Sequence, residues 1–525
     1  MDARRSRANF IIGFLLTIIT FTAFFPSLSN QFVNWDDYGY VVMNANVQGL
    51  TFATLPKLFV SFFNGNYHPL TMMVYGLEFR IFGLDPFFYH LTSLIIHCGS
   101  ALLVMALLRA LSGSFAAGAL GALLFAVHPL RVESVAWISE LKDVLCGAFY
   151  FASLLAYTKY VKRGLAPGMK ALALFLFLCA LLSKAMALTL PLSFLLVDYL
   201  LGRKPSLALL REKALFFLFS IVFGILGVLA QKTTNALPGA IASRFNLLVS
   251  GHALVFYIQK IIAPVKLAVL YPFVRFPDIP WYSLYGRDII IVSLLVLAVA
   301  WSARYTRKAA FGSLFFLATL LPVLVFIPLG ANYGADRYTY IPFLGVSYLA
   351  AILARRLYGK SRNAAGRAVL AAALCVITFT LSAITWQRCK VWKNTTTIWE
   401  DALNNTSFNA VAHYNLGNAY DSDGKCEKAV RQYDLALAIR PDFMEVLNNK
   451  CFCLTKLGRN SEALDPCIKA IRIEPGSFLP YLNLGDAYSA LGDRQHALAA
   501  YEKALSIQPG DREIRKKRDD LNERK

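Results

Sequence analysis

The sequence predicts an all-α protein in two parts: a polytopic membrane helix bundle of about 11 spans, followed by a C-terminal α-solenoid. Three observations carry this. The chain is 57% hydrophobic and only 16% charged over 525 residues, whereas soluble domains carry about 25% charged residues. Its formal net charge of +21 lies almost wholly in the apolar part. Small side chains and prolines recur at a fixed spacing near the C-terminus. A soluble basic nucleic-acid binder would be richer in charge, not poorer, so nucleic acid is excluded as a partner.

Residues 390–525 hold 20 basic and 19 acidic side chains, which leaves 33 basic and 13 acidic in residues 1–389. Within that first part apolar runs recur at roughly 10–28, 88–108, 114–128, 144–158, 171–183, 186–201, 214–230, 289–303, 311–328, 338–354 and 368–385. A run of about 20 such residues spans a bilayer as a helix. The first run reads as an uncleaved membrane helix, because Phe24-Phe25-Pro26 makes a poor cleavage site. Basic residues concentrate in alternate short loops, which orients the chain. Placing Arg4, Arg5 and Arg7 in the cytoplasm puts Lys159, Arg203, Arg307 and Arg355 there too. Residues 246–272 are taken as re-entrant or interfacial. The odd number of spans then puts the C-terminal part outside. The same topology sorts most of the 13 carboxylates to the outer face: Asp36, Asp37, Glu78, Asp85, Glu133, Glu140, Asp143, Asp278, Asp288 and Asp336. Polar groups near hydrocarbon are costly and usually functional.

The C-terminal part repeats every 34 residues. Pro441, Pro475 and Pro509 fall on this period, as do Gly424, Gly458 and Gly492, and Ala436, Ala470 and Ala504. This is the tetratricopeptide pattern, in which small residues let two antiparallel helices pack closely and a proline closes each repeat. The expected boundaries are a membrane domain over 1–389 and a repeat domain over 390–525. The latter comprises a half repeat (395–409), repeats at 410–443, 444–477 and 478–511, and a charged capping helix. The middle repeat departs from its neighbours. Cys467 replaces Tyr433 and Tyr501, and Cys451 stands where Gly417 and Gly485 do. In an oxidising compartment the two cysteines could pair, with free core thiols as the alternative. The nine cysteines show no metal-ligand spacing.

Three polar clusters lie in the outer segments. Asp36-Asp37 follows the first helix. Neighbours in sequence point in different directions, so one can face a reacting hydroxyl as general base while the other holds the loop; a turn pair in a solvated loop is the bland reading. His128, Glu133, Glu140, Lys142 and Asp143 mix acids and bases at the mouth of two helices. They could neutralise a lipid phosphate or form interfacial salt bridges. Asp336-Arg337-Tyr338 offers a permanently charged fork suited to phosphate, beside tyrosines that could anchor at the interface. His68 precedes Pro69 at a helix start, where a lone histidine is usually structural.

Taken in order, these motifs resemble a known family. The acidic pair is followed by Tyr67-His68-Pro69-Leu70, then Phe82-Gly83-Leu84-Asp85-Pro86-Phe87, then the His128-Pro129 cluster with Lys142-Asp143. Asp336-Arg337-Tyr338 and the repeats complete the series. The chain resembles the transmembrane and tetratricopeptide-repeat O-mannosyltransferases, and more broadly the GT-C membrane glycosyltransferases. The resemblance implies a polyprenyl-phosphate sugar donor, mannose-like, and an inverting, metal-independent transfer to a hydroxyl of protein Ser or Thr at the extracytoplasmic face. It implies no cofactor. By analogy Asp36 is the base, Asp37 supports the loop or meets the acceptor, and Arg337 and Lys142 hold the donor phosphate. The repeats would select an acceptor protein or glycan. His68 departs from relatives that often carry arginine there. A flippase of lipid-linked sugars and a non-enzymatic membrane-anchored repeat scaffold are the alternatives.

Overall fold

The computed structural model describes residues 2–233, 244–272, 281–324, 332–361, 363–405 and 409–523. Asp278, residues 325–328 of the ninth apolar run and residues 406–408 of the half repeat lie outside the described residues. The chain divides into two compact units, Met1–Asn394 and Thr395–Lys525, each taken here by itself.

In the first unit every apolar run is helical over most of its described length. Among the described residues six helices are long and apolar enough to cross a membrane: Arg7–Ser29, Pro86–Ser112, Ile138–Lys162, Ala214–Lys232, Tyr285–Tyr305 and Ala364–Lys393. A seventh joins them if the bent pair Phe115–Val127 and Pro129–Ala136 is one span. Other runs fold as shorter helices, Pro167–Ser183 and Leu190–Leu201 among them. Length and composition alone therefore support fewer spans than the apolar runs suggested. Helix ends follow local chemistry. Asp85 accepts a hydrogen bond from the Phe87 amide at 3.1 Å, Pro86 occupies the first helical position, and Gly113 closes the same helix at φ 69°, a left-handed conformation that glycine adopts without steric cost. The stretch 246–272 begins as the helix Arg244–Ile262 and ends in a strand. Tyr271 and Pro272 pair antiparallel with Gly334 and Asn332, which fixes the segment carrying Asp336.

The turn that builds the site comes at His128-Pro129. Proline disfavours helical backbone in the residue before it, and His128 is extended at φ −72°, ψ 133°. The chain bends by 62° and passes through the short helices Val132–Ala136 and Ile138–Glu140 before Leu141–Lys162 begins. Every residue from Phe125 to Gly147 is buried.

The second unit is a stack of helix pairs. Thr395–Asn405 comes first, then Ala410–Ser422 with Cys426–Ile439, Met444–Lys456 with Asn460–Ile473, and Phe478–Ala490 with Arg494–Ile507. The charged helix Arg512–Glu523 follows. In the first and third repeats a tyrosine ring lies flat against a glycine: a Cβ on Gly417 would overlap the Tyr433 ring, and one on Gly485 the Tyr501 ring. The middle repeat solves the same packing problem covalently. Cys451 and Cys467 are joined as a disulfide with a Cα separation of 5.5 Å.

Closing a loop with a sequence separation of 16 is worth about 3 kcal/mol by loop-entropy arguments. Cys451→Ala is expected to lower the denaturation midpoint of the repeat unit accordingly, and reductant is expected to do the same to the parent protein. The double variant Cys451→Gly/Cys467→Tyr recreates the glycine–tyrosine pair of the other repeats. It should recover part of the loss and become insensitive to reductant, as read by urea denaturation.

Candidate active site

The two members of the acidic pair have separate environments. Asp37 is buried at 1% exposure. It accepts hydrogen bonds from the Val33 amide at 2.9 Å, the Ser139 amide at 2.9 Å and the Ser139 hydroxyl. These bonds pin the loop that follows the first helix to the short helix Ile138–Glu140. Burial pushes the Asp37 carboxyl up to about 6, against the Ser139 hydroxyl and the Val33 amide, which hold it down. Asp36 is only partly buried and accepts no hydrogen bond among the described residues. Burial pushes its carboxyl above the ordinary carboxylate range; the Lys142 ammonium opposes the rise and Glu140 adds to it. Trp35 stacks on Trp137 at 4.6 Å between ring centroids, and Trp137 on Trp392 at 5.2 Å. Asn30 further ties this loop to Cys389, its Nδ2 donating to the Cys389 carbonyl at 3.1 Å.

Beneath Asp36 lies a closed ionic network. Lys142 pairs with Glu140 at 3.1 Å and donates to the Ser139 carbonyl at 2.9 Å. Lys184 bridges Glu140 at 2.9 Å and Asp143 at 2.7 Å. Arg337 pairs with Glu133 through Nη1 and with Glu140 through Nε at 3.1 Å, and its amide donates to Glu133 at 2.9 Å. Three carboxylates thus meet three cations. Lone charges would be very costly at this depth, so each side chain of the cluster depends on the others. Aromatic faces complete it: Lys142 lies 4.7 Å from the Tyr40 ring centroid, and Arg337 4.9 Å from that of Tyr338.

Glu133, Glu140, Lys142, Asp143 and Arg337, chosen from the sequence, come together here. Lys184, which was not among the residues chosen from the sequence, is the central cation. Its signal was present: a single lysine between two apolar runs. His68 is buried, with Nε2 unpartnered among the described residues and its ring edge-on to Tyr40 at 5.0 Å. Burial, then the Lys142 and Lys184 charges, hold it well below the usual histidine range, so it is neutral.

Asp336 and His128 do not join the network. Tyr271 donates to Asp336 at 2.9 Å, and burial, then Glu133, push the Asp336 carboxyl up to about 7. His128 has both ring nitrogens on backbone groups: Nε2 lies 3.0 Å from the Ile261 carbonyl, and Nδ1 accepts from the Leu130 amide at 3.3 Å. These contacts secure the bend and the Asp336 segment. An apolar cavity of about 590 Å³ runs between the helices Asp2–Phe24, Phe115–Val127 and Ala364–Cys389. It is lined by Ile18, Leu120, Leu374, Phe379 and Trp386, and Trp386 stacks on Phe25 at 6.4 Å.

Tetratricopeptide-repeat family models match residues 412–444 and 480–511, so the C-terminal unit carries these repeats. A Caenorhabditis elegans protein O-mannosyl-transferase is 24% identical over 83% of this chain and 63% of its own length. Human protein O-mannosyl-transferase TMTC1 is 24% identical over 73% of this chain and 49% of its own. Mouse protein O-mannosyl-transferase TMTC3 is 22% identical over 97% and 61%. The chain resembles the protein O-mannosyl-transferases. It spans about half to two thirds of the length of these relatives. Among solved structures, an Arabidopsis OM64 TPR domain is 22% identical, covering 22% of this chain and 96% of that domain with a TM-score of 0.22.

The different surroundings of the acidic pair have a direct test. Asp37→Ala strands three buried donors and is expected to cost on the order of 3 kcal/mol, seen as a lower thermal midpoint of the purified protein in detergent. Asp36→Ala removes no hydrogen bond and should leave that midpoint within about 0.5 kcal/mol of the parent.

Proposed function

We propose that this chain is an inverting membrane glycosyltransferase. It moves a mannose-like hexose from a polyprenyl-phosphate donor to a protein Ser or Thr hydroxyl at the extracytoplasmic face. The observation that carries the reading is Asp36, a partly exposed carboxylate without a hydrogen-bond partner among the described residues, set over a cluster of anchored cations. The named activity of the relatives supports the reaction class.

In this reading Asp36 takes the proton of the acceptor hydroxyl as its oxygen attacks the anomeric carbon. The bond from that carbon to the phosphate oxygen breaks, and the polyprenyl phosphate departs with the electron pair. Arg337 and Lys184 meet the phosphate; their side chains are 18% and 14% exposed, against 6% for Lys142. Each retains N–H donors after pairing with its carboxylates. Lys142 is then a positioning residue that sets Glu140 and the Tyr40 face. Asp37 holds Asp36 in register through Ser139. The apolar groove ending at Trp386 takes the isoprenoid chain, and the repeats offer a surface for the acceptor protein.

Asp36→Asn keeps the shape and removes the base. Transfer from a polyprenyl-phosphate mannose to an acceptor peptide, followed by mass spectrometry, should fall by 10²–10⁴-fold with the thermal midpoint unchanged. Retained activity rejects the assignment. Because burial raises the Asp36 carboxyl and only its ionised form accepts a proton, the rate should drop on acidification at a pH above the ordinary Asp value of about 3.9.

A further inference from the structure

A second constellation lies in the repeat unit and is independent of the glycosyl-transfer reading. A carboxylate oxygen of Asp421 and the sulfurs of Cys426 and Cys453 lie within 4.8 Å of one another. They come from three successive helices, Ala410–Ser422, Cys426–Ile439 and Met444–Lys456, which span the junction of the first and second repeats. Both cysteines are buried. The Cys426 sulfur is 3.6 Å from Asp421 Oδ1. Both thiols are free, although Cys451, two residues before Cys453 on the same helix, is bonded to Cys467.

This arrangement is not a by-product of the repeat. One period on, Asp421 becomes Thr455, Cys426 becomes Asn460 and Cys453 becomes Ala487. One period back from Cys453 stands Ala419. A core alanine position has become cysteine at the one junction where a second thiol and a carboxylate face it.

We propose that Asp421, Cys426 and Cys453 bind a thiophilic divalent cation of the zinc class and thereby cross-link the first two repeats. Zinc bonds of about 2.3 Å to sulfur and 2.0–2.2 Å to carboxylate oxygen in a tetrahedron set the donor atoms about 3.5–3.8 Å apart. The observed spacing reaches that by small side-chain rotations. The fourth position opens on the Asp421 side, whose side chain is 22% exposed, and takes water. Lys456, 3.4 Å from Asp421 and 50% exposed, is free to swing away. Binding exchanges two thiol protons for two sulfur–metal bonds, with no change of oxidation state.

The test uses the full-length protein in detergent, stripped with chelator, then loaded with zinc or cobalt and gel-filtered. Elemental analysis should find one zinc per chain. Loading should release two protons, and the cobalt form should show thiolate-to-metal charge transfer with tetrahedral ligand-field bands. Cys453→Ala, which installs the residue of the neighbouring repeats and so preserves the fold, should weaken zinc binding at least tenfold and abolish the charge-transfer band. Asp421→Asn should weaken binding while keeping that band. The proposal is overturned if the parent retains no more zinc than Cys453→Ala. It is equally overturned if non-reducing peptide mapping of the purified protein finds Cys426 bonded to Cys453.

Discussion

Everything in the first unit hangs on the pairing of buried charge in the segment that follows His128-Pro129. From Phe125 to Gly147 no residue is exposed, yet the segment carries Glu133, Glu140, Lys142 and Asp143, while Arg131 lies outside the ionic network against the rings of Phe125, Tyr340 and Phe343. In a low-dielectric interior a single uncompensated member would be very unfavourable. Lys184 and Arg337 arrive from distant parts of the chain to complete the set. The bend at proline is what makes the geometry possible: a continuous helix would have spread these side chains around its circumference. The network therefore acts as a rigid charged floor, and the loop bearing the acidic pair is fastened to it through Ser139.

That fastening divides labour between adjacent carboxylates. Asp37 spends its acceptors on the protein, while Asp36 keeps its own. A general base needs both a fixed position and an unsatisfied carboxylate. One residue cannot readily supply both, since the hydrogen bonds that fix a carboxylate also weaken it as a base. In the proposed reading the consecutive pair resolves this conflict. The neutral His68 fits the same electrostatics: with three cations already paired nearby, the site has no need of a further positive charge against Tyr40.

The repeat unit shows how one packing problem admits two answers. Where glycine faces tyrosine, the helices approach over a flat ring; where cysteine faces cysteine, a covalent bond spans the gap. A Cβ at the glycine position overlaps the ring, so a cysteine there is compatible only with a smaller residue in place of the tyrosine. The cysteines at the neighbouring junction are buried core residues as well, and they additionally lie against the Asp421 carboxylate.

Local pattern was enough to read the all-α class, the presence of tetratricopeptide repeats and the acidic pair. Periods of 34 residues and long apolar runs are properties of contiguous segments, and so is the proline that bends the chain at His128. Most polar residues of the site were legible too, because carboxylates are scarce in the apolar half. What local pattern left open was decided by contacts between remote segments. Asp37 meets Ser139 102 positions away, Lys184 meets Glu140 44 away, and the Arg337 amide meets Glu133 204 away. Which of two neighbouring aspartates is sequestered, whether a lysine marks a turn or completes an ion cluster, and which helices close over an apolar groove all depend on how the helices pack. Periodicity records which face of a helix is apolar, but not which other helix that face will meet.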